Sequence, residues 1–203
     1  DERLGVALQE KLGVQEKFRL ISSDFLKLDL AELGTEPLKI ISNLPYSVGT
    51  PILQRFLPWP YWTSAVLMFQ KEVAERIAAQ PGSADYGLLT LSALIYAETE
   101  FVLDAPRECF SPRPKVASAV IRLMRRPSPL ISAGQEKLFF RVARAAFGQR
   151  RKMASGPIAS ALQLPREEIN RAMTSCGVPV TARAQEIPFD AFRKLTSLLG
   201  GLP

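Results

Sequence analysis

The segment "IISNLPYSVGTPIL", residues 40 to 53, leaves a run of β-branched residues and enters a turn that sets an asparagine, a proline and an aromatic ring within four positions. Pro45 fixes its own φ and biases Leu44 toward an extended conformation, so the side-chain carbonyl of Asn43 and the backbone carbonyl of Leu44 can face one point. Tyr46 adds a flat π face beside them. Two acceptors and a ring make a receptor for a planar group that carries an NH₂, and an exposed adenine meets that description. Its exocyclic nitrogen is a weak nucleophile because the lone pair is delocalised into the ring. Acceptors aimed at its two hydrogens favour a pyramidal nitrogen, localise the lone pair and stabilise the positive charge that develops on attack at an electrophilic methyl group. The structural alternative is a capping asparagine, a turn-shaping proline and a core tyrosine.

Two further segments suit the same substrate. In "CFSPRPKVASAVIRL", residues 109 to 123, Phe110 precedes a loop stiffened by two prolines and carrying Arg113 and Lys115. Such an aromatic could stack on the opposite face of a base while the cations meet phosphate; a core phenylalanine beside a solvated loop is the plainer alternative. In "EKLFFRVARAAFGQRRKM", residues 136 to 153, a helical period of about 100° per residue gathers Lys137, Arg141, Arg144, Arg151 and Lys152 within roughly one third of the circumference. Leu138, Phe139, Val142, Ala146 and Phe147 fall on the other side, and Glu136 is the single carboxylate of the run. A cationic stripe without interspersed acids favours a phosphate-backbone contact over an ordinary solvated face.

These groups need a scaffold. "FRLISSDF" (18 to 25), "LKIISNLPY" (38 to 46) and "SAVLMF" (64 to 69) read as buried parallel strands, separated by helical patterns at Arg3 to Lys11, Thr50 to Phe56 and Lys71 to Ala79. That alternation predicts an open α/β sheet, with ligands outside the carboxyl ends of its strands. Asp24 and the Asn43 turn are both expected there, lining one crevice, although Asp24 also suits a loop or cap. Residues 87 to 97 read as a helix. "EFVLDAP" and "ASAVIRLMRR" read as an antiparallel pair at the sheet edge, because "RECFSPRPK" is too short for a crossover helix. After "RRPSP" the β character ends, and helices are expected at 132 to 153, 157 to 163, 166 to 176 and 188 to 199, forming a small second domain.

Composition narrows the chemistry. The 203 residues contain no histidine, which excludes a Ser-His-Asp triad, a Cys-His pair, an HExxH zinc site and an imidazole base. Cys109 and Cys176 stand far apart with no metal-type spacing, so both are expected reduced and no metal is expected. The net charge of +6 is unevenly spread: residues 1 to 104 hold 9 Lys/Arg against 14 Asp/Glu, and residues 105 to 203 hold 17 against 6. A basic second half fits a polyanion such as nucleic acid. No apolar run approaches the roughly 18 residues of a membrane span, and no apolar signal segment opens the chain, so a cytoplasmic protein is expected.

Together, "NLPYSVGTPIL", "FQKEVAERI" with "YGLLTLSA", "FSPRPKVASAVIRL" and "AFGQRRKM" resemble the small-subunit ribosomal RNA adenine dimethyltransferase family, known in bacteria as KsgA or RsmA. The resemblance implies a Rossmann-like methyltransferase domain at 1 to 127 and an all-helical, RNA-contacting domain at 128 to 203. It also implies transfer of methyl groups from S-adenosylmethionine to the N6 atoms of two adjacent adenosines near the 3′ end of small-subunit rRNA, during ribosome biogenesis, by a monomer. Carried over by position, Asn43 and the Leu44 carbonyl would hold the target amine with Pro45 shaping the turn, and Tyr46 and Phe110 would stack on the base. Asp24 would contact the adenine of the cofactor, and Asn43 would also lie against the cofactor. Arg113, Lys115, Lys137, Arg141, Arg144, Arg150, Arg151 and Lys152 would hold RNA.

The sequence departs from the family at its start. No glycine-rich turn precedes a helix, and the acidic residue expected to bind the ribose of the cofactor falls at or just before Asp1, so "DER" reads as the tail of that motif. The expectation is an N-terminally truncated enzyme with an incomplete cofactor site, inactive in this form although its parent is active. Two rivals predict other outcomes: a large-subunit rRNA adenine methyltransferase of the antibiotic-resistance type, which shares the Asn-x-Pro-Tyr and Phe-x-Pro-x-Pro-Lys-Val segments, and a noncatalytic RNA-binding assembly factor on the same fold. A purely structural domain would show little salt dependence toward RNA.

Overall fold

The structure is a computed structural model that describes residues 2 to 201. Two compact units divide the chain, Asp1–Thr35 and Glu36–Pro203. Asp1, where the ribose-binding acid was sought, lies outside the described residues.

The first unit opens with helix α1, Glu2–Leu12, which ends where the Gly13 amide donates to the Gln9 carbonyl at 2.8 Å. The strand expected over "FRLISSDF" does not form: residues 18 to 22 make no ladder, and 23 to 28 close into a turn in which the Lys27 and Leu28 amides both donate to the Asp24 carbonyl at 2.9 Å. A β-branched run favours a strand only where a neighbouring strand takes up its backbone groups, and this segment has no pairing. A 3₁₀ turn, Leu30–Leu33, follows, capped by Asp29, whose Oδ1 accepts from the Ala31 amide at 3.0 Å.

The second unit is built on a four-stranded sheet of β1 (Leu38–Asn43), β2 (Trp62–Gln70), β3 (Ala97–Ala105) and β4 (Ser118–Arg125), in the order β1-β2-β4-β3. β1 and β2 are parallel, with Ile41 opposite Val66, and β4 is antiparallel to both β2 and β3. The expected antiparallel pair is therefore present, with β3 at the edge. Between the strands run α2 (Gly49–Phe56), α3 (Lys71–Ile77) and α4 (Leu88–Tyr96).

Burial of the sheet is one-sided. Ala65, Leu67, Phe69, Ala119, Ile121 and Leu123 are buried, whereas on the other face Ile41 is 82% exposed and Val66 and Met124 are also exposed. The expectation of strands buried on both faces fails: among the described residues of this unit α3 and α4 pack against β2, β3 and β4, and these side chains of the opposite face stay exposed.

The approach of α2 to the sheet depends on one residue. A Cβ at Gly49 would sit 3.1 Å and 3.2 Å from the ring of Phe69, which is buried. Gly49→Ala is expected to destabilise the unit by about 1 to 3 kcal/mol through overpacking. Denaturant unfolding checks this, and an unchanged midpoint would show that the ring can yield.

Four helices complete the unit: α5 (Ala133–Gly148), α6 (Ser155–Leu162), α7 (Arg166–Ser175) and α8 (Phe189–Gly200). Phe139, Val142, Ala146 and Phe147 of α5 join Ile158, Ile169, Met173, Phe192 and Leu195 in one apolar core that also takes in Leu91 and Ile95 of α4. Phe147 and Phe192 stack at 5.8 Å, and a buried phenylalanine of this kind contributes about 1.5 to 3 kcal/mol. The Tyr96 hydroxyl donates to both carboxylate oxygens of Glu136, at 3.0 and 3.1 Å, tying the end of α4 to α5. Burial, helped by that carboxylate, pushes the phenol up to about 12, so it stays a donor. α5 is shorter than expected: it ends at Gly148 rather than 153, because glycine is a weak helix former and Gln149 leaves helical geometry.

Candidate functional site

β1 delivers the Asn43 turn to the carboxyl end of the sheet. Asn43 is the last residue of the strand, paired with Met68, and the Leu44 amide then donates to the Met68 carbonyl at 3.2 Å. The Leu44 side chain is 5% exposed and anchors the turn in the core, while Asn43, Pro45 and Tyr46 are exposed. The Val48 amide donates to the Pro45 carbonyl at 3.1 Å, closing the turn just before α2.

Opposite stands the loop between β3 and β4. Its ends are held by β3–β4 pairing, by Arg107 donating to the Lys115 carbonyl at 3.3 Å, and by the Lys71 amide donating to the Ala117 carbonyl at 2.9 Å. Lys71 Nζ lies 2.9 Å from Asp104 Oδ1. The hydrogen bond from that ammonium to Asp104 raises its pKa above the ordinary lysine value. The Ser111–Pro112 peptide bond is cis.

The two loops line an open cavity of about 350 Å³, formed by Asn43, Leu44, Pro45, Tyr46, Phe110, Pro112 and Pro114. Five residues predicted from sequence thus surround one space, although Phe110 comes from a loop more than sixty positions away. Pro112 and Pro114, expected only to stiffen their loop, prove to be wall. Among the described residues the Asn43 amide makes no hydrogen bond, so its carbonyl is not consumed by buried backbone. Among the described residues no carboxylate, lysine or arginine lines the cavity, and what it offers a ligand is fixed dipoles and aromatic faces.

Asp24 belongs to the first unit. It is exposed, and its Oδ1 accepts from the Leu26 amide at 3.0 Å, an Asx turn that leaves the second carboxylate oxygen open.

The predicted cations fall into two groups. Arg113 and Lys115 flank the prolines of the cavity wall and are exposed, with Arg113 paired to Glu108. On α5, Lys137, Arg141 and Arg144 are exposed; Arg141 donates to the Ala161 carbonyl at 2.5 Å, and the Arg144 guanidinium lies 5.5 Å from the centre of the Phe140 ring. Arg151 and Lys152 do not continue that stripe, because the helix has ended. They line a separate recess of about 620 Å³ with Gln149 and Arg150. Arg150 is partly committed inward, donating from Nη2 to the Ala84 carbonyl at 2.7 Å and lying over Phe147.

One residue escaped sequence reasoning altogether. The hydroxyls of Tyr46 and Ser118 share a hydrogen bond of 2.6 Å. A serine leading directly into the apolar run Ala119-Val120-Ile121, in "ASAVIRL", is the available signal.

The family model described as Ribosomal RNA adenine dimethylase matches residues 1–199. The chain is 39% identical, over 98% of its length and 71% of the relative's, to a protein of Listeria innocua named Ribosomal RNA small subunit methyltransferase A. It is 43% identical, over 87% of its length and 63% of the relative's, to a protein of that name from Ruegeria pomeroyi. Among solved structures, a 23S rRNA methyltransferase, ErmE, superposes with a TM-score of 0.76 at 26% identity, covering 98% of this chain and 79% of its own. A dimethyladenosine transferase from Plasmodium falciparum gives 0.75 at 22% identity, covering 96% and 78%, and shares the fold.

Proposed function

Because this chain belongs to the ribosomal RNA adenine dimethylase family, we propose that the cavity between the Asn43 turn and the Phe110 loop receives a single adenine of small-subunit rRNA and prepares its amino group for methylation. The family's activity is rRNA adenine dimethylation, and its fold is the Rossmann-like methyltransferase fold. Identities of 39% and 43% to relatives named for the small subunit, against 26% to the 23S enzyme, favour the small-subunit substrate. The observation that carries the proposal is the convergence of Asn43, Leu44, Tyr46 and Phe110 on one open space with room for a nucleobase.

In this mechanism Tyr46 and Phe110 take opposite faces of the base, and Pro112 and Pro114 exclude water from its edge. The Asn43 side-chain carbonyl and the Leu44 backbone carbonyl accept the two N6 hydrogens, favouring the pyramidal nitrogen and the positive charge of the transition state. S-adenosylmethionine, the family's methyl donor, supplies a methyl group on a sulfonium centre when bound. Asn43, exposed and unengaged, suits contact with that donor as well as with the base. Asp24 suits its adenine, since the open carboxylate oxygen can accept from an amino group. Among the described residues no helix is long and apolar enough to cross a membrane.

Residues 1 to 127 form the catalytic part in this proposal, and 128 to 203 an RNA-contacting helical part. Arg113 and Lys115 meet the phosphates flanking the target. Lys137, Arg141 and Arg144 of α5, with Arg150, Arg151 and Lys152 beyond it, meet phosphates further along. Replacing Lys137, Arg141 and Arg144 by alanine is expected to weaken RNA binding regardless of sequence and to flatten its salt dependence by about 0.7 to 0.9 per lost contact. Affinities measured between low and moderate salt check this, and an unchanged slope would remove α5 from the interface. Methyl incorporation into purified small and large ribosomal subunits tests the substrate: labelling of the small subunit is expected, and labelling of the large one alone would overturn the assignment.

A further inference from the structure

We propose that Ser118 is the positioning residue for Tyr46, fixing the plane of the ring on which the target adenine stacks. The inference rests on the stacking role given to Tyr46 above and concerns what holds that ring in place. Tyr46 sits within a turn and is 37% exposed. Its hydroxyl is held 2.6 Å from Ser118 Oγ. Ser118 is 0% exposed and opens β4, a central strand, where it is opposite Gln70 on β2 and Ala105 on β3. A hydroxyl fixed between two paired neighbours is a rigid anchor. The bond grips the ring at its far end and leaves both faces uncovered by the bond itself.

Placement adds a second consequence. Ser118 follows the loop that carries Phe110, Pro112 and Pro114, so the same strand start that anchors one aromatic wall also carries the other. The spacing between the walls is then set by the sheet rather than by two independent loops. A tyrosine free to swing would meet the base in many orientations, and the cost of ordering it would fall on binding.

The test uses a short single-stranded RNA in which the target adenosine is replaced by 8-vinyladenosine, which keeps the N6 amino group and whose fluorescence is quenched on stacking. It is titrated against the protein and against Tyr46→Ala, Tyr46→Phe, Ser118→Ala and the Tyr46→Phe/Ser118→Ala double variant. Tyr46→Phe keeps the ring and removes only the bond. Tyr46→Phe and Ser118→Ala, the two bond-removing single variants, are each expected to weaken quench-detected binding about fivefold, the size of one ordinary hydrogen bond. The double variant should be no worse than either alone, because the same bond is lost once. A bond that merely satisfies a buried serine would lower the melting temperature of Ser118→Ala while leaving quenching and affinity unchanged in both single variants; that result, or additive losses in the double variant, overturns the inference. Loss of quenching in Tyr46→Ala with none in the other variants would sink the positioning role and leave the stacking role standing. No loss in Tyr46→Ala would sink both.

Discussion

Replacing Asn43 by alanine is expected to lower methyl transfer by about 10² to 10³-fold, the usual cost of removing one preorganised polar group from a developing charge. RNA affinity should stay within about twofold of the wild type, because Asn43 makes no phosphate contact in this mechanism and the cationic residues are untouched. Asn43 is exposed at the end of β1 and its side chain makes no hydrogen bond among the described residues, so truncating it leaves no buried group unsatisfied and the fold should persist. Single-turnover methylation of rRNA, paired with a binding titration, separates chemistry from affinity. An RNA-binding assembly factor on this fold would show the reverse, with function intact in the variant. Retained methylation would remove the side-chain acceptor from the mechanism.

The second large effect concerns the aromatic walls. Base stacking on an aromatic side chain contributes about 1 to 3 kcal/mol, so Tyr46→Ala and Phe110→Ala should each weaken binding of an unpaired adenosine by about 5- to 150-fold. Together they should lose less than the product of the two effects, since both grip one base. Duplex RNA without an extruded base is the control, and its affinity should barely change. Equal losses on both RNAs would mean that the two aromatics serve the fold. Phe110 is only half-buried and Tyr46 is exposed, which argues for walls of a site rather than core.

That residues nominated from sequence line one cavity has a local cause. Pro45 and the strand before it fix the Asn43 turn within a few residues, and the two prolines after Phe110 fix the facing loop in the same way, so short-range constraints were enough to nominate both walls. That they enclose one space depended on β4 pairing with β2 and β3, which was legible as an antiparallel pair though not in its register. What failed was long-range. "FRLISSDF" has strand composition, yet without a partner for its backbone it forms turns around Asp24. The basic run after Phe147 looked continuous by periodicity, but the helix stops at Gly148, and Arg150 bends back to the Ala84 carbonyl, a tertiary contact no period can report. Ser118 was invisible for a related reason: a serine has meaning there only through a tyrosine 72 positions earlier.

A crystal structure of the protein with a short RNA bearing one unpaired adenosine is the most direct examination of the site. The purine should lie between Tyr46 and Phe110, with N6 about 3 Å from both the Asn43 side-chain oxygen and the Leu44 carbonyl oxygen. An adenine bound with its amino group turned to solvent, or seated away from these two oxygens, would contradict the mechanism at its root.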